Sequence, residues 1–245
     1  MSIANGWVAL NLFNQKLFCN IDWDVRGTNG LRQKGWYLVL ANHQSWVDIL
    51  VLQSTFYRKI PFLKFFLKKE LFWLPILGQC WWALEFPFMK RYSLSYLKKH
   101  PERKGKDYES TRIACQKFKT IPVSIMNFVE GTRFTQGKHT RQKSPFNHLL
   151  KPRAGGIAFV LSTMGEHLHQ ILDVTIVYPQ GFRNFWAFVR GDVGTIKVRV
   201  KAIPITRDLL GDYSSDKRFR LYFHKWLNNL WAEKDMLIQK LLSQP

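Results

Sequence analysis

Apolar and polar positions fall along this chain in blocks whose lengths and periods separate strands from helices. Residues 7–19, WVALNLFNQKLFC, are apolar with polar interruptions and predict a short amphipathic helix, followed by a strand over 21–26 and a turn at Gly27-Thr28-Asn29-Gly30. Residues 36–41, WYLVLA, form a continuous aromatic and β-branched run of the kind buried on both faces of a sheet, and Ser45 is a candidate N-cap for a helix over 46–55. Further strands are predicted over 121–129, over 171–178, where Pro179 stops the run, and over 196–203. Helical periodicity fits 108–119, 155–164 and 217–242, where Phe219, Phe223, Leu227 and Leu230 recur at spacings of three and four. Strands alternating with helices predict an α/β fold: a single domain with a central, mostly parallel sheet flanked by helices, preceded by an apolar N-terminal helix. There is no internal repeat, low-complexity segment or long Pro/Gly/Ser linker to divide it.

The longest apolar stretch, residues 71–88, LFWLPILGQCWWALEFPF, approaches the ~20 residues of a membrane span but is interrupted by Pro75, Gly78, Glu85 and Pro87. Its Trp73, Trp81 and Trp82 belong to a residue type that favours the water–lipid interface, so burial in the domain or dipping into one leaflet is expected in place of spanning. A chain of 245 residues that is 46% hydrophobic can build one sizeable core, which excludes disordered and fibrous classes. Its 37 Lys and Arg against 17 Asp and Glu give a net charge of +20, which calls for an anionic partner: nucleic acid, a phosphorylated small molecule or an acidic membrane surface. Residues 98–153 hold fourteen Lys and Arg against four Asp and Glu, about half the excess. Most Trp and Phe lie in apolar runs, away from that basic segment, which argues against a nucleic-acid module built on base stacking. Cys19, Cys80 and Cys115 are odd in number and widely spaced, so neither a disulfide framework nor a zinc site is expected, and a reducing compartment fits best. The N-terminus lacks the charged and apolar regions of a signal peptide, and His167-x-His169 has no third ligand motif, so no metal is expected.

Three motifs could carry chemistry. In Asn42-His43-Gln44-Ser45-Trp46-Val47-Asp48, at a strand-to-helix turn, Asp48 can receive Nδ1 of His43 and leave Nε2 as a general base for an alcohol. The spacing also admits a locally bonded His43 with a solvated Asp48 at the helix start. Phe128-Val129-Glu130-Gly131-Thr132-Arg133 ends another strand; Gly131 permits a sharp turn whose N–H groups can face an anion, and Arg133 offers a fork to phosphate, although an ordinary turn has the same look. In the third, Lys68-Lys69 and Lys90-Arg91 bracket the apolar stretch, as solvated ends of a core hairpin also would. Ser45 has no GxSxG elbow around it, so helix capping is expected and not an acyl-serine.

In this order and at these separations the motifs resemble those of the PlsC-type glycerolipid acyltransferase family. NHQSWVD matches its NHxxxxD block, KKELFWLPILG through PFMKR its second block, and FVEGTR its FPEGTR block with Val129 in place of the usual Pro; Val177-Tyr178-Pro179 falls at its last block. The likeness covers about residues 24–205, and the wording is particularly similar to a bacterial inner-membrane subgroup that also looks like lysocardiolipin-type acyltransferases. The resemblance implies an apolar helix over 1–20 and an acyltransferase domain over 21–245. It implies acyl transfer from acyl-CoA or acyl carrier protein to the hydroxyl of a lysophospholipid, foremost 1-acyl-glycerol-3-phosphate, in a ternary complex without a covalent intermediate. Lysophosphatidylglycerol or lysocardiolipin is the alternative acceptor. By the same resemblance His43 is the base and Asp48 orients it, and Glu130, Gly131, Thr132 and Arg133 bind the acceptor phosphate. Lys68 and Arg91 assist, Lys151 and Arg153 add a basic pair, and no cofactor or nucleic acid is involved. The expected place is the cytoplasmic side of the inner membrane on anionic lipid, held by the apolar segments or by an anchor upstream.

Overall fold

The computed structural model describes residues 2–18, 21–75, 77–86, 88–89, 115–116, 118–181 and 185–244. Helix α1 (Ser2–Phe18) leads into β1 (Asp22–Arg26), β2 (Tyr37–Ala41) and α2 (Val47–Phe56). Three short strands follow, β3 (Leu63–Phe65), β4 (Leu67–Lys68) and β5 (Phe88–Met89), the last two separated by a 3-10 turn at Lys69–Trp73 and α3 (Leu77–Ala83). Then come β6 (Ser124–Phe128), α4 (Gln136–Gln142), α5 (Ala154–Met164), β7 (Gln170–Val177), α6 (Phe185–Val189), β8 (Thr195–Pro204) and α7 (Lys217–Ser243). The predicted helix over 108–119 lies largely outside the described residues, as do Arg91 and Cys19.

The main sheet has six strands in the order β1-β8-β7-β2-β6-β3. Only β7 and β8 pair antiparallel; the other neighbours in this sheet are parallel. The run that predicted a doubly buried strand is the middle of it, with all five residues of β2 buried. Side chains alternate across it. Leu38 and Leu40 join a core with Ile157 and Leu161 of α5 and Phe223, Leu227 and Trp231 of α7. Tyr37, Val39 and Ala41 join a second core with Val47, Val51, Leu52 and Phe56 of α2. The result is a sheet between two helical layers. Because β7, β2 and β6 run the same way, with Ala41 level with both Val174 and Phe128, their carboxyl ends open onto one edge of the sheet.

Several boundaries differ from the sequence reading. Helix α1 begins about a turn early because Ala4, with Val8 and Gln15, turns into the fold, where Gln15 Oε1 accepts from Ser54 Oγ of α2 at 3.1 Å. Strands of two or three residues are too short to show a period, and α4, QGKHTRQ, has no apolar stripe. Of the two alternatives for the stretch over 71–88, burial in the domain does not hold for Trp73 and Trp82, which are 79% and 67% exposed. No helix among the described residues is long and apolar enough to cross a membrane.

Candidate active site

The edge formed by the ends of β2, β6 and β7 is where the sequence motifs meet. Asn42, directly after β2, is fully buried and pinned to β7: its Nδ2 donates to the Ile176 carbonyl and its Oδ1 accepts the Ile176 N–H, both at 2.9 Å. The next residue, His43, therefore emerges at a fixed height above the sheet. Its ring lies flat on Phe128 of β6, centroids 3.7 Å apart and planes 12° from parallel, which sets the imidazole plane.

Asp48, in the first turn of α2 and 0% exposed, collects hydrogen bonds on both oxygens. Oδ2 meets His43 Nδ1 at 2.9 Å and accepts the Gln44 and Ser45 N–H groups at 2.6 and 2.8 Å; Oδ1 accepts the Tyr178 hydroxyl at 2.7 Å. The buried carboxylate is thus fully solvated by protein donors, as a charge out of water must be. Burial first, then the neighbouring Asp48, pushes the Tyr178 phenol well above its ordinary range, so it stays a donor. With Nδ1 engaged, Nε2 is the nitrogen presented outward, and no group among the described residues binds it. Ser45 is not the N-cap expected of it: that position falls on Trp46, which makes no side-chain cap bond, and the Ser45 Oγ, one residue earlier, accepts the Val47 N–H at 3.1 Å.

The second motif closes the other side. Val129, which stands in place of the Pro of the FPEGTR block it resembles, donates its N–H to the Ala41 carbonyl at 3.2 Å, a ladder bond that Pro could not make. Gly131 sits at φ +66°, and a Cβ there would come within 2.9 Å of Arg153 Cδ, so the tight turn and the passage of Arg153 over it both call for glycine. The Phe134 N–H donates to the His43 carbonyl at 2.7 Å, tying this turn to the candidate base. The Arg133 guanidinium stands over the exposed Trp46 ring at 5.2 Å, and Lys138 Nζ braces the turn through Thr132 Oγ1 at 2.8 Å and the Arg133 carbonyl at 2.9 Å.

Glu130 behaves differently from the rest of its motif. It is 1% exposed; Oε1 accepts the His43 N–H and Oε2 the Leu150 N–H, each at 2.9 Å. Burial raises its carboxyl to about 7, against the lowering pull of those two hydrogen bonds. A group so enclosed holds main chain in place and does not reach a ligand in the open mouth. The structure thus gathers His43, Asp48, Glu130, Gly131, Thr132, Arg133 and Arg153 at one place. Lys151 lies exposed beside Arg153, its N–H donating to Gln142 Oε1 at 3.2 Å. For Lys68 only the backbone, in β4, is described, and Arg91 lies outside the described residues.

Sequence reasoning missed the support behind this site. Trp231 Nε1 of α7 donates to the Leu150 carbonyl at 3.0 Å, and Asp235 accepts the Asn147 and His148 N–H groups, both at 2.8 Å. One turn along, the 1%-exposed Lys234 pairs with Asp173 at 2.8 Å and donates to the Val174 carbonyl at 2.5 Å. The clue was Lys234 on the apolar stripe of the last helix and Asp173 inside an otherwise apolar strand. His139 Nε2 meets the Phe146 carbonyl at 2.6 Å.

Comparison with known proteins bears on the family and the fold. The model of the protein family Acyltransferase matches residues 22–179. A mouse protein named 1-acyl-sn-glycerol-3-phosphate acyltransferase epsilon is 30% identical over 85% of this chain and 58% of its own length. A Saccharomyces cerevisiae protein named 2-acyl-1-lysophosphatidylinositol acyltransferase is 25% identical over 84% of this chain and 61% of its own. This chain therefore spans under two thirds of those relatives. The crystal structure of the 1-acyl-sn-glycerophosphate acyltransferase PlsC from Thermotoga maritima superposes with a TM-score of 0.52 at 18% identity, over 95% of this chain and 78% of that one, which establishes the shared fold.

Proposed function

The chain belongs to the Acyltransferase family, and from that premise we propose that it moves a fatty acyl group from an acyl thioester to the free hydroxyl of a lysophospholipid, foremost 1-acyl-glycerol-3-phosphate. The observation that carries the reading is His43 held by Asp48 through Nδ1 at 2.9 Å and flat on Phe128, with Nε2 unbound among the described residues and the His43 carbonyl tied at 2.7 Å to Phe134, next to Arg133. In the proposed step Nε2 takes the proton of the acceptor hydroxyl as its oxygen attacks the thioester carbonyl. The C–S bond breaks as the C–O bond forms, and the leaving thiolate of coenzyme A or acyl carrier protein receives the proton from the imidazolium. Asp48 balances the charge on the ring between the two transfers. Arg133, Thr132 and Arg153 receive the acceptor phosphate, with Lys151 beside Arg153 as a further cation; Lys68 and Arg91 assist by resemblance to the family's second block, and Glu130 positions His43 through its main-chain N–H.

A lipid acceptor requires the enzyme to work at a membrane. The outward stripe of α1 (Trp7, Leu10, Phe13 and Leu17) and the exposed Trp73 and Trp82 offer apolar surface for one leaflet, and the charge of +20 favours an anionic one, at roughly 1 kcal/mol per basic residue near the surface. The yeast relative named for lysophosphatidylinositol supports a second reading of the acceptor, another anionic lysophospholipid such as lysophosphatidylglycerol or lysocardiolipin.

The test is free-thiol release from palmitoyl- and oleoyl-CoA in detergent or liposomes, with lysophosphatidic acid, lysophosphatidylglycerol, lysophosphatidylinositol or lysocardiolipin, in wild type and His43→Ala. Acceptor-dependent release that falls ~10²- to 10⁴-fold in the variant is the expected result. Release that the variant retains would remove His43 from the chemistry, and no release with any acceptor from acyl-CoA or acyl carrier protein would overturn the reading.

A further inference from the structure

We propose that Tyr178 is a positioning residue of the candidate dyad: its hydroxyl, held at the carboxyl end of β7, fixes the rotation of Asp48 and tempers how strongly Asp48 holds His43. The inference rests on the reading of His43 as the base and extends the working unit to a third strand.

The geometry is specific. Asp48 Oδ2 is shared by three donors, His43 Nδ1 and the Gln44 and Ser45 N–H groups, all from the 43–48 turn itself. A carboxylate bonded only through that oxygen could still swing about its Cβ–Cγ axis and carry the imidazole with it. Among the described residues, Oδ1 is held from the opposite side by Tyr178 Oη at 2.7 Å. Tyr178 itself is 3% exposed and packs in the core that lines α2, so its ring cannot follow Asp48. Main chain next to it is equally tied, since Asn42 spans to both polar groups of Ile176. Oδ1 thus takes its donor from β7, a neighbour of β2 in the sheet, and the dyad is anchored across two strands. A phenol donating to Oδ1 also draws charge away from Oδ2, which weakens the pull on the Nδ1 proton.

Tyr178→Phe keeps the ring and removes the donor. In a folded Tyr178→Phe protein, kcat should fall 10- to 100-fold while KM for thioester and acceptor stays within threefold. The His43 Hδ1 proton resonance should move downfield as Asp48 becomes the stronger acceptor. In an Asp48→Asn background the same change should cost less than threefold, because its route of action is already gone. Should Tyr178→Phe not fold, 3-fluorotyrosine placed at 178 preserves the packing and strengthens the donor, and the Hδ1 resonance should move upfield. The resonance is read without turnover, so it tests Tyr178 even if no acyl transfer is found. An unchanged resonance in the folded variants, a kcat within twofold of wild type, or equal losses in both backgrounds overturns the proposal.

Discussion

Glu130 carries a pH dependence that can be worked out from its surroundings. Its carboxyl is raised from 4.5 to about 7 by burial, so between those values the folded chain binds a proton that the unfolded chain has released. Stability from this group is therefore full below about pH 4.5 and is lost as pH rises through 7, a loss of roughly 3 kcal/mol at about 1.4 kcal/mol for each unit of pKa. The function proposed for the site pulls the other way. An ionised Glu130 is the better acceptor for the N–H groups of His43 and Leu150, so the form that best holds the base is the one that costs stability. Glu130→Gln should remove this slope: urea unfolding at pH 4.5 and pH 8 should show the wild type losing about 2–3 kcal/mol more than the variant over that interval. The variant should also turn over at least tenfold more slowly at pH 8, because its amide NH₂ must face one of the two backbone donors. Equal slopes would show that folding does not raise the Glu130 carboxyl.

Helix α7 lies beyond the matched family region, yet it is bonded to the segment that holds Glu130. Its Lys234 is a buried cation whose charge is disfavoured by desolvation and retained by Asp173. Lys234→Met should destabilise the chain by about 3–5 kcal/mol, since Asp173 is left as an unpaired buried charge, whereas Asp173→Asn with Lys234→Met should recover most of that; chemical denaturation reads both. A double variant no better than the single one would mean that Lys234 matters through its bonds to Val174 and Thr175 alone. This element also shows how far the residues could be read in advance. The apolar spacing of Phe223, Leu227 and Leu230 placed the helix, and the unbroken run of β2 with the β-branched run of β7, interrupted at Asp173, placed the middle of the sheet, because burial on one stripe or two faces leaves a local pattern. His43, Asp48, Gly131 and Arg133 could be picked out because their local spacing at strand ends matches blocks of the family that the sequence resembles. Tyr178 to Asp48, Lys234 to Asp173 and Trp231 to Leu150 were not, because each bond joins elements far apart in the chain whose meeting depends on strand order. Glu130 was legible as a motif residue, but its contacts are with backbone, which leaves no mark on spacing.

Charge and apolar surface together make a prediction that no single element carries. At 100° per residue, Trp7, Leu10, Phe13 and Leu17 occupy about a third of the circumference of α1, opposite the side on which Ala4, Val8 and Gln15 pack inward. A helix docked by one face and apolar on the other has surface left for a second medium. The exposed Trp73 and Trp82 are rings of the type that settles at the headgroup level. A net charge of +20 adds attraction that decays within about 10 Å at 0.1 M salt, whereas apolar insertion does not depend on screening in this way. The two contributions can therefore be separated by co-sedimentation with vesicles. Binding to vesicles with anionic lipid should exceed binding to neutral phosphatidylcholine vesicles and should weaken at least tenfold between 0.05 and 0.5 M salt, to a residual level that persists. Leu10→Glu with Phe13→Glu, or Trp73→Ala with Trp82→Ala, should abolish that residual level while leaving the low-salt preference for anionic vesicles. Turnover with a short-chain, detergent-free acceptor should be unchanged in both double variants, since these side chains lie outside the His43–Asp48 site. If instead salt removes all binding and the apolar variants behave as wild type, charge alone brings the chain to lipid, and the outward stripe of α1 is covered by something other than a membrane.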